Sequence, residues 1–416
     1  MAEILPVIYG ERPRHGSASR FLQKLAGEGV GKLLKGRFRG KMNWGEKRLT
    51  TAGPDRQFKV SSPLRRSMNM HRIAVLFLAT FVATSVAQQV APGASSRPTP
   101  APLQVPNPHY VTLLLTQDVK APADTVWARV GAYCDISKWA FPDCKLLAGD
   151  GGYASERSIV NEVLVGKTGH SYTYTQPVRT DAKYNLYHGT LEALPVTAKT
   201  SRLVYSFFYD NSMLADDAAR DAEMATRKKR FTAFLENMKT LGEGGKVAAS
   251  AKESAQPPVP TPEQLQTPHP HYVSIPMTIT VNAPVDAVWA RVGKYCDIGE
   301  WGIPNCTILS GDGNSLGTVR SIGHEVLVGK TKYSYTYTQP VREGVAYNMY
   351  HGSLEAVRLT DKTTRLNYTL VFDNSNLADD AARSKDLDNR RTRFTKMLDN
   401  MKTLSEGGTL PPGALG

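Results

Sequence analysis

Along residues 109–241 the apolar positions change period in a fixed order. Val111–Val119 reads as a strand. Pro122 and Asp124 suit the first turn of a helix whose apolar stripe is Val126, Trp127 and Val130. Asp135–Trp139 reads as a second, short helix. Strands are predicted near Cys144–Leu147, Arg157–Val165, His170–Val178, Tyr184–Leu194 and Arg202–Tyr209, with Gly149-Asp150-Gly151-Gly152 and Gly166-Lys167 as turns. From Leu214 the period becomes helical, through Ala218, Ala222, Ala225, Phe231, Leu235 and Met238 to Leu241. An antiparallel sheet must cover its apolar face, and this last helix is the only element long enough to do so. The expected class is α+β.

The same pattern occurs twice. Tyr110–Leu241 and Tyr272–Leu404 align end to end with more than half the positions identical, and the second copy carries one extra residue at its Gly-Asp-Gly turn. Val126-Trp127-Ala128-Arg129-Val130-Gly131 matches Val288-Trp289-Ala290-Arg291-Val292-Gly293, and Tyr187-His188-Gly189 matches Tyr350-His351-Gly352. A unit this long is a whole domain, not a solenoid repeat of ~20–50 residues. The expected organisation is domain one at 109–241, a Gly-, Ala- and Pro-rich flexible linker at 242–270, domain two at 271–405 and a disordered tail at 406–416.

Several blocks carry a resemblance: the Ala121-Pro122-x-x-x-Val126-Trp127 helix entry, the Asp135-Ile136-x-x-Trp139 segment and Gly149-Asp150-Gly151 leading to Arg157-Ser158-Ile159, each present in both copies. The chain resembles the START-like, SRPBCC superfamily, in particular its polyketide cyclase/dehydrase branch and the lachrymatory-factor-synthase-like proteins. The resemblance covers nearly all of both repeats. It implies two tandem helix-grip domains, each a curved antiparallel sheet wrapped on a long C-terminal helix and enclosing a cavity for small apolar ligands.

Strand alternation predicts what faces that cavity. Tyr333, Tyr335, Tyr337 and Gln339 share one face in repeat two, as His170, Tyr172, Tyr174 and Gln176 do in repeat one. The alternate Ser and Thr positions suit water, so the tyrosine face is expected inside. Leu203, Tyr205, Phe207 and Tyr209, matched by Leu366, Tyr368, Leu370 and Phe372, continue it on the last strand. The candidate ligand-binding set is Tyr172, Tyr174, Tyr205, Phe207, Tyr209, Tyr333, Tyr335, Tyr337, Tyr368 and Phe372, with His188 and His351 from the Tyr-His-Gly strands. Alternation lets only one of Tyr350 and His351 face the cavity. The competing reading is a filled core, and an interior void below a few hundred Å³ would favour it.

The lachrymatory-factor-synthase-like resemblance also implies a proton-transfer set: Arg157, Glu162 and Tyr187, or Arg320, Glu325 and Tyr350. In such a set Arg polarises an oxygen while the carboxylate moves a proton. On a single regular strand, positions five apart face opposite ways, so only a β-bulge would bring Arg320 and Glu325 to one side. A surface Arg and a surface Glu is the alternative. His324 has Asn161 as its counterpart, which excludes a role common to both copies.

The chain's net charge of +13 resides mostly at one end. Residues 1–70 hold fifteen Lys/Arg and five Asp/Glu, so the body of the protein carries no basic excess that points to nucleic acid. After Met68, Met70 and His71-Arg72, an apolar run from Ile73 ends in Ser85-Val86-Ala87. It reads as a signal peptide over 68–87, too short for a spanning helix of ~20 residues. Residues 1–67 read as a basic leader that is disordered or precedes the true start, and 88–108 as a Pro-rich linker. The expected location is secreted or periplasmic. The alternatives are a membrane anchor formed by the uncleaved segment and an Arg-rich organelle-targeting extension.

Each repeat has one cysteine pair of spacing ten, Cys134/Cys144 and Cys296/Cys306. Export predicts a disulfide in each, against free buried thiols. Metal binding is not expected, because no Cys-x-x-Cys or nearby His pair supplies four ligands. Val165-Gly166-Lys167-Thr168 mimics the end of a phosphate loop, but Asn161 stands where the earlier glycine is needed. No cofactor is expected, and neither a Gly-x-Ser-x-Gly nor a His-Glu-x-x-His motif occurs. The leading functional expectation is reversible binding of a small hydrophobic or aromatic molecule in each repeat. The alternatives are a cyclase/dehydratase-type enzyme and an interaction module with filled cores.

Overall fold

The computed structural model describes residues 102–103, 105–181, 186–342 and 349–415. The basic leader, the signal segment, most of the first linker and Tyr184 lie outside the described residues. Among the described residues no helix is long and apolar enough to cross a membrane.

Repeat one runs β1 (Tyr110–Val119), α1 (Ala123–Val130), α2 (Ile136–Trp139), β2 (Leu146–Ala148), β3 (Glu156–Arg157), β4 (Glu162–Lys167), β5 (Ser171–Thr175), β6 (Tyr187–Thr197), β7 (Thr200–Asp210) and α3 (Asp217–Gly242). Repeat two repeats the order as β8 (Tyr272–Val281), α4 (Val285–Val292), α5 (Ile298–Trp301), β9 (Ile308–Ser310), β10 (Val319–Arg320), β11 (Val326–Thr331), β12 (Ser334–Thr338), β13 (Tyr350–Arg358), β14 (Thr364–Asp373) and α6 (Asp380–Ser405). The strands form two seven-stranded sheets, β1-β7-β6-β5-β4-β3-β2 and β8-β14-β13-β12-β11-β10-β9, and every pairing is antiparallel. These are the tandem helix-grip domains that the resemblance implies.

The inner face of each sheet closes on its helices. α1 buries Ala123, Val126 and Val130, and Trp139 of α2 is fully enclosed with its indole N–H donating to the Val130 carbonyl at 3.3 Å. α3 starts at Asp216, whose side chain accepts from the Ala219 N–H at 2.8 Å, and it buries Phe234, Leu235 and Met238 against the sheet. Both disulfides are formed, Cys134–Cys144 and Cys296–Cys306, and each ties a short helix to the segment entering the next strand. Closing loops this short stabilises by ~2–3 kcal/mol apiece in the chain-entropy model.

Four features depart from the sequence reading. Arg157–Val165 is not one strand but a hairpin, β3 and β4. The outer Ser/Thr faces do not meet water: Ser171, Thr173, Thr175, Ser334, Thr336 and Thr338 are buried. They pack against the sheet of the other repeat, where a hydroxyl-lined strand can pair its polar groups across and along the sheets. Ser353, for example, donates to the Val165 carbonyl at 3.1 Å. The segment joining the repeats is bonded along repeat one rather than loose. Glu253 N–H donates to the Ala140 carbonyl at 2.8 Å, Gln266 N–H to the Val178 carbonyl at 3.0 Å, and Pro257 is buried. Leu265, which precedes repeat two, bridges to Arg179 of repeat one, while Leu103, which precedes repeat one, bridges to Arg342 of repeat two. At the far end, Ala414 is buried and its carbonyl accepts from Asn400 at 3.2 Å.

Candidate functional site

The turn between β3 and β4 builds the centre of the site. Val160 and Asn161 both have positive φ, 54° and 53°, as do Gly323 and His324 at 56° and 53°. Glu162 N–H bonds back to the Ile159 carbonyl at 3.0 Å and Glu325 N–H to Ile322 at 3.0 Å. These two left-handed residues end the four-residue loop Ser158–Asn161, which reverses the chain so that Arg157 lies directly opposite Glu162. Cross-strand partners share a face, so the pair reaches the interior without a bulge. A β-branched residue in this conformation is strained, and Val160 holds it at the edge of the cavity.

Inside, Arg157 donates from Nε and Nη2 to one oxygen of Glu162 at 2.8 and 2.5 Å, and from Nη1 to the Tyr133 carbonyl at 2.7 Å. Its guanidinium lies 4.4 Å from the Tyr133 ring centre and 4.9 Å from that of Tyr174. The other Glu162 oxygen accepts from Gln176 at 3.3 Å. Repeat two matches this: Arg320 Nε to Glu325 at 2.7 Å, Nη1 to the Tyr295 carbonyl at 2.6 Å, and Gln339 to Glu325 at 3.3 Å. Burial pushes both glutamates above the ordinary carboxylate range, against the pull of the adjacent arginine.

The tyrosine face points inward, as alternation predicts. Tyr172, Tyr174, Tyr205, Phe207 and Tyr209 are all enclosed in repeat one, and Tyr335, Tyr337, Tyr368 and Phe372 in repeat two. Tyr174 and Tyr205 share a hydroxyl–hydroxyl bond of 2.8 Å, and Tyr337 and Tyr368 another of 2.8 Å. Gly189 makes this possible, since a Cβ there would stand 2.4 Å from the Tyr174 ring; at Gly352 it would stand 2.3 Å from Tyr337. Gly189→Ala is therefore expected to displace the Tyr174 ring and cost about 1–3 kcal/mol. A denaturation midpoint equal to wild type would contradict this.

Tyr187 also faces inward, and its hydroxyl accepts from Arg227 of α3 at 2.9 Å. Arg227 pairs with Glu223, which in turn accepts from the Tyr209 hydroxyl at 2.8 Å. Tyr350 is half-buried in the equivalent place, with the Arg390 guanidinium 5.4 Å from its ring centre. His188 and His351 do not join this set. They alternate with Tyr187 and Tyr350 and so lie on the outer face, between the repeats. Tyr333 sits at the surface end of its strand, where its hydroxyl bonds Asp286.

In repeat one these groups line a cavity of about 30 Å³. Glu162, Gln176, Tyr174, Tyr187, Tyr205 and Arg230 contribute its polar wall; Ile159, Val160 and Phe231 are apolar, and Pro257 comes from the inter-repeat segment. Phe231 of α3 stacks on Tyr205 at 5.3 Å and on Phe207 at 4.2 Å. The space falls short of a few hundred Å³, because this ring and Pro257 occupy it. Glu223, Arg227 and Phe231 recur every four residues on one helical face, a spacing that marks the face of α3 turned to the sheet: Phe231 lines the cavity, and Glu223 and Arg227 bond the Tyr209 and Tyr187 hydroxyls. Among the described residues no group of three or more His, Cys, Asp or Glu is placed to hold a metal ion.

The polyketide cyclase / dehydrase and lipid transport family model matches residues 111–243 and 272–406. No curated protein matches the chain. Among solved structures, the di-domain ARO/CYC BexL is 15% identical, with 71% of this chain and 99% of that one covered at a TM-score of 0.27. The di-domain ARO/CYC StfQ is 12% identical over 71% and 97% of the two chains, TM-score 0.27. A START superfamily protein from Mycobacterium smegmatis is 12% identical over 31% and 98%, TM-score 0.25. On the two family matches, which together span well over half of its length, the chain belongs to the polyketide cyclase/dehydrase and lipid transport family and carries two tandem copies of its domain.

Proposed function

We propose that each repeat reversibly binds a small hydrophobic or aromatic molecule. In repeat one, Glu162, Gln176 and the hydroxyls of Tyr174, Tyr187 and Tyr205 orient it; in repeat two, Glu325, Gln339, Tyr337, Tyr350 and Tyr368 take those places. The observation that carries this reading is the convergence of a carboxylate, an amide, three phenols and the Arg230 side chain on one internal space whose remaining wall is apolar. A void of about 30 Å³ has room for about one water, whereas ligand sites measure ~300–1,000 Å³. Binding therefore requires Phe231 to swing off Tyr205 and Pro257 to lift, two parts of the wall that do not belong to the sheet.

Catalysis of the cyclase/dehydratase kind is the weaker reading. Arg157 is enclosed and bonded to Glu162 and to the Tyr133 carbonyl, and it does not border the cavity. Polarising a substrate oxygen would first require releasing it from the carboxylate it neutralises. The interaction module with a filled core is favoured by one observation, the cavity's small volume. Titration with 1-naphthol, followed by intrinsic fluorescence, separates the readings. Saturable binding at no more than two sites supports the ligand pocket, and no binding at millimolar 1-naphthol leaves the filled core.

Secretion forms part of the proposal. It rests on the segment 68–87 and on two disulfides of a kind that persists in oxidising compartments. N-terminal sequencing of the exported chain is expected to begin at Gln88.

A further inference from the structure

The two repeats meet through the outer faces of their sheets, and the contacts are reciprocal. A Cβ at Gly166 would collide with Thr336 and Ser353, and one at Gly329 with Thr173 and Thr190. Val163 and Val165 pack with Met349 and Val371, while Leu186 and Phe208 pack with Val326 and Val328. The pattern is that of a two-fold interface made within one chain. Where the two copies of the Tyr-His-Gly strand face each other, His188 and His351 meet with Nε2 atoms 2.8 Å apart. Each is 1% exposed, and neither Nδ1 has a hydrogen-bond partner among the described residues. The neighbouring hydroxyls are already committed: Thr175 donates to the Tyr187 carbonyl at 3.1 Å and Thr338 to the Tyr350 carbonyl at 3.0 Å.

At 2.8 Å one imidazole donates to the other, so the neutral pair shares a single Nε2 proton. One added proton leaves a cation here with no carboxylate bonded to it. A second points two N–H groups at each other and abolishes the bond. We infer that the His188–His351 pair is an acid-sensitive latch, holding the repeats face to face when neutral and releasing them when protonated.

The direction follows from linkage. Burial lowers His188 well below the ordinary imidazole range and lowers His351 to about 3. With the repeats parted, both return toward ~6.5. The open form then binds more protons, so opening gains up to about tenfold per pH unit per histidine as pH falls from ~6.5 toward the closed-state value. The other charged side chains on these strands outside the cavities are Glu156, Lys167, Glu192, Arg202, Asp210, Lys330, Glu355, Arg358, Arg365 and Asp373. Glu156 and Glu192, pushed up to about 7 by burial, act in the opposite sense, as does Glu355, which burial also raises. They take up protons in the closed form between pH 7 and their ordinary range, so the latch is read by difference.

The test uses the full chain with Val165→Cys, a buried interface position, as reporter. Its labelling by 4,4′-dithiodipyridine is followed from pH 7 to 4.5, with the histidines intact and in the His188→Phe/His351→Phe background. The ratio of the two rates is expected to rise at least tenfold between pH 6.5 and 4.5. A ratio independent of pH overturns the latch. Imidazole NMR titration of the unmodified chain provides a second reading that needs no variant. Both rings are expected to stay neutral to below pH 5 and to protonate together with shifts at Val163, Val165, Val326 and Val328. Titration near 6.5 without those shifts overturns it equally.

Discussion

Arg157→Ala is expected to lower the stability of the protein by about 3–5 kcal/mol, the usual consequence of leaving one member of a buried ion pair unpartnered. The carboxylate of Glu162 would keep only the 3.3 Å bond from Gln176, and the Tyr133 carbonyl would lose its donor. Arg320→Ala should behave the same way in repeat two. Removing both members should not. Arg157→Met/Glu162→Leu replaces a desolvated pair by apolar volume, and it should cost less than the single variant, about 1–3 kcal/mol for the Tyr133 carbonyl and Gln176 amide left without their partners. Denaturant midpoints of the single and double variants check this. A single variant as stable as wild type would mean that water already reaches the pair, and the enclosed geometry would be wrong.

Phe231→Ala has the second large effect, and it acts on stability and binding in opposite directions. The ring is half-buried against Tyr205 and Phe207, so its loss should cost somewhat less than the ~3–5 kcal/mol of a core phenylalanine. It also empties the space next to Glu162 and the phenols. The affinity of repeat one for 1-naphthol should rise at least tenfold, about 1.4 kcal/mol, because the variant no longer has to move the ring. Unchanged or weaker binding would place any naphthol site elsewhere.

The sequence made the duplication, the element order, the inward tyrosine face and the cysteine pairs legible, because each rests on local periodicity or on identity between the copies. It did not reveal the β3–β4 hairpin. Two successive left-handed residues in a turn are usually marked by Asn-Gly or Gly-Gly, but Val160 is the first of them here and only Gly323 in the second copy carries the signal. Reading Arg157 and Glu162 on one continuous strand therefore put them on opposite faces. The outer Ser/Thr positions were read as solvated for a different reason: alternation says which residues share a face, not what covers it. That cover is the other repeat, and His188 and His351 owe their burial to it. The docking of Pro257 was equally hidden, since a Pro- and Ala-rich stretch looks the same whether it is free or bonded along a surface.

The most direct test of the central claim, that each repeat opens its tyrosine-lined interior to a small guest, is native mass spectrometry of the exported, oxidised chain. The mass expected is that of residues 88–416 with two disulfides plus one or two copies of a small organic molecule, released on unfolding. The guest-free mass alone, together with no uptake of 1-naphthol by wild type or by Phe231→Ala, would contradict it.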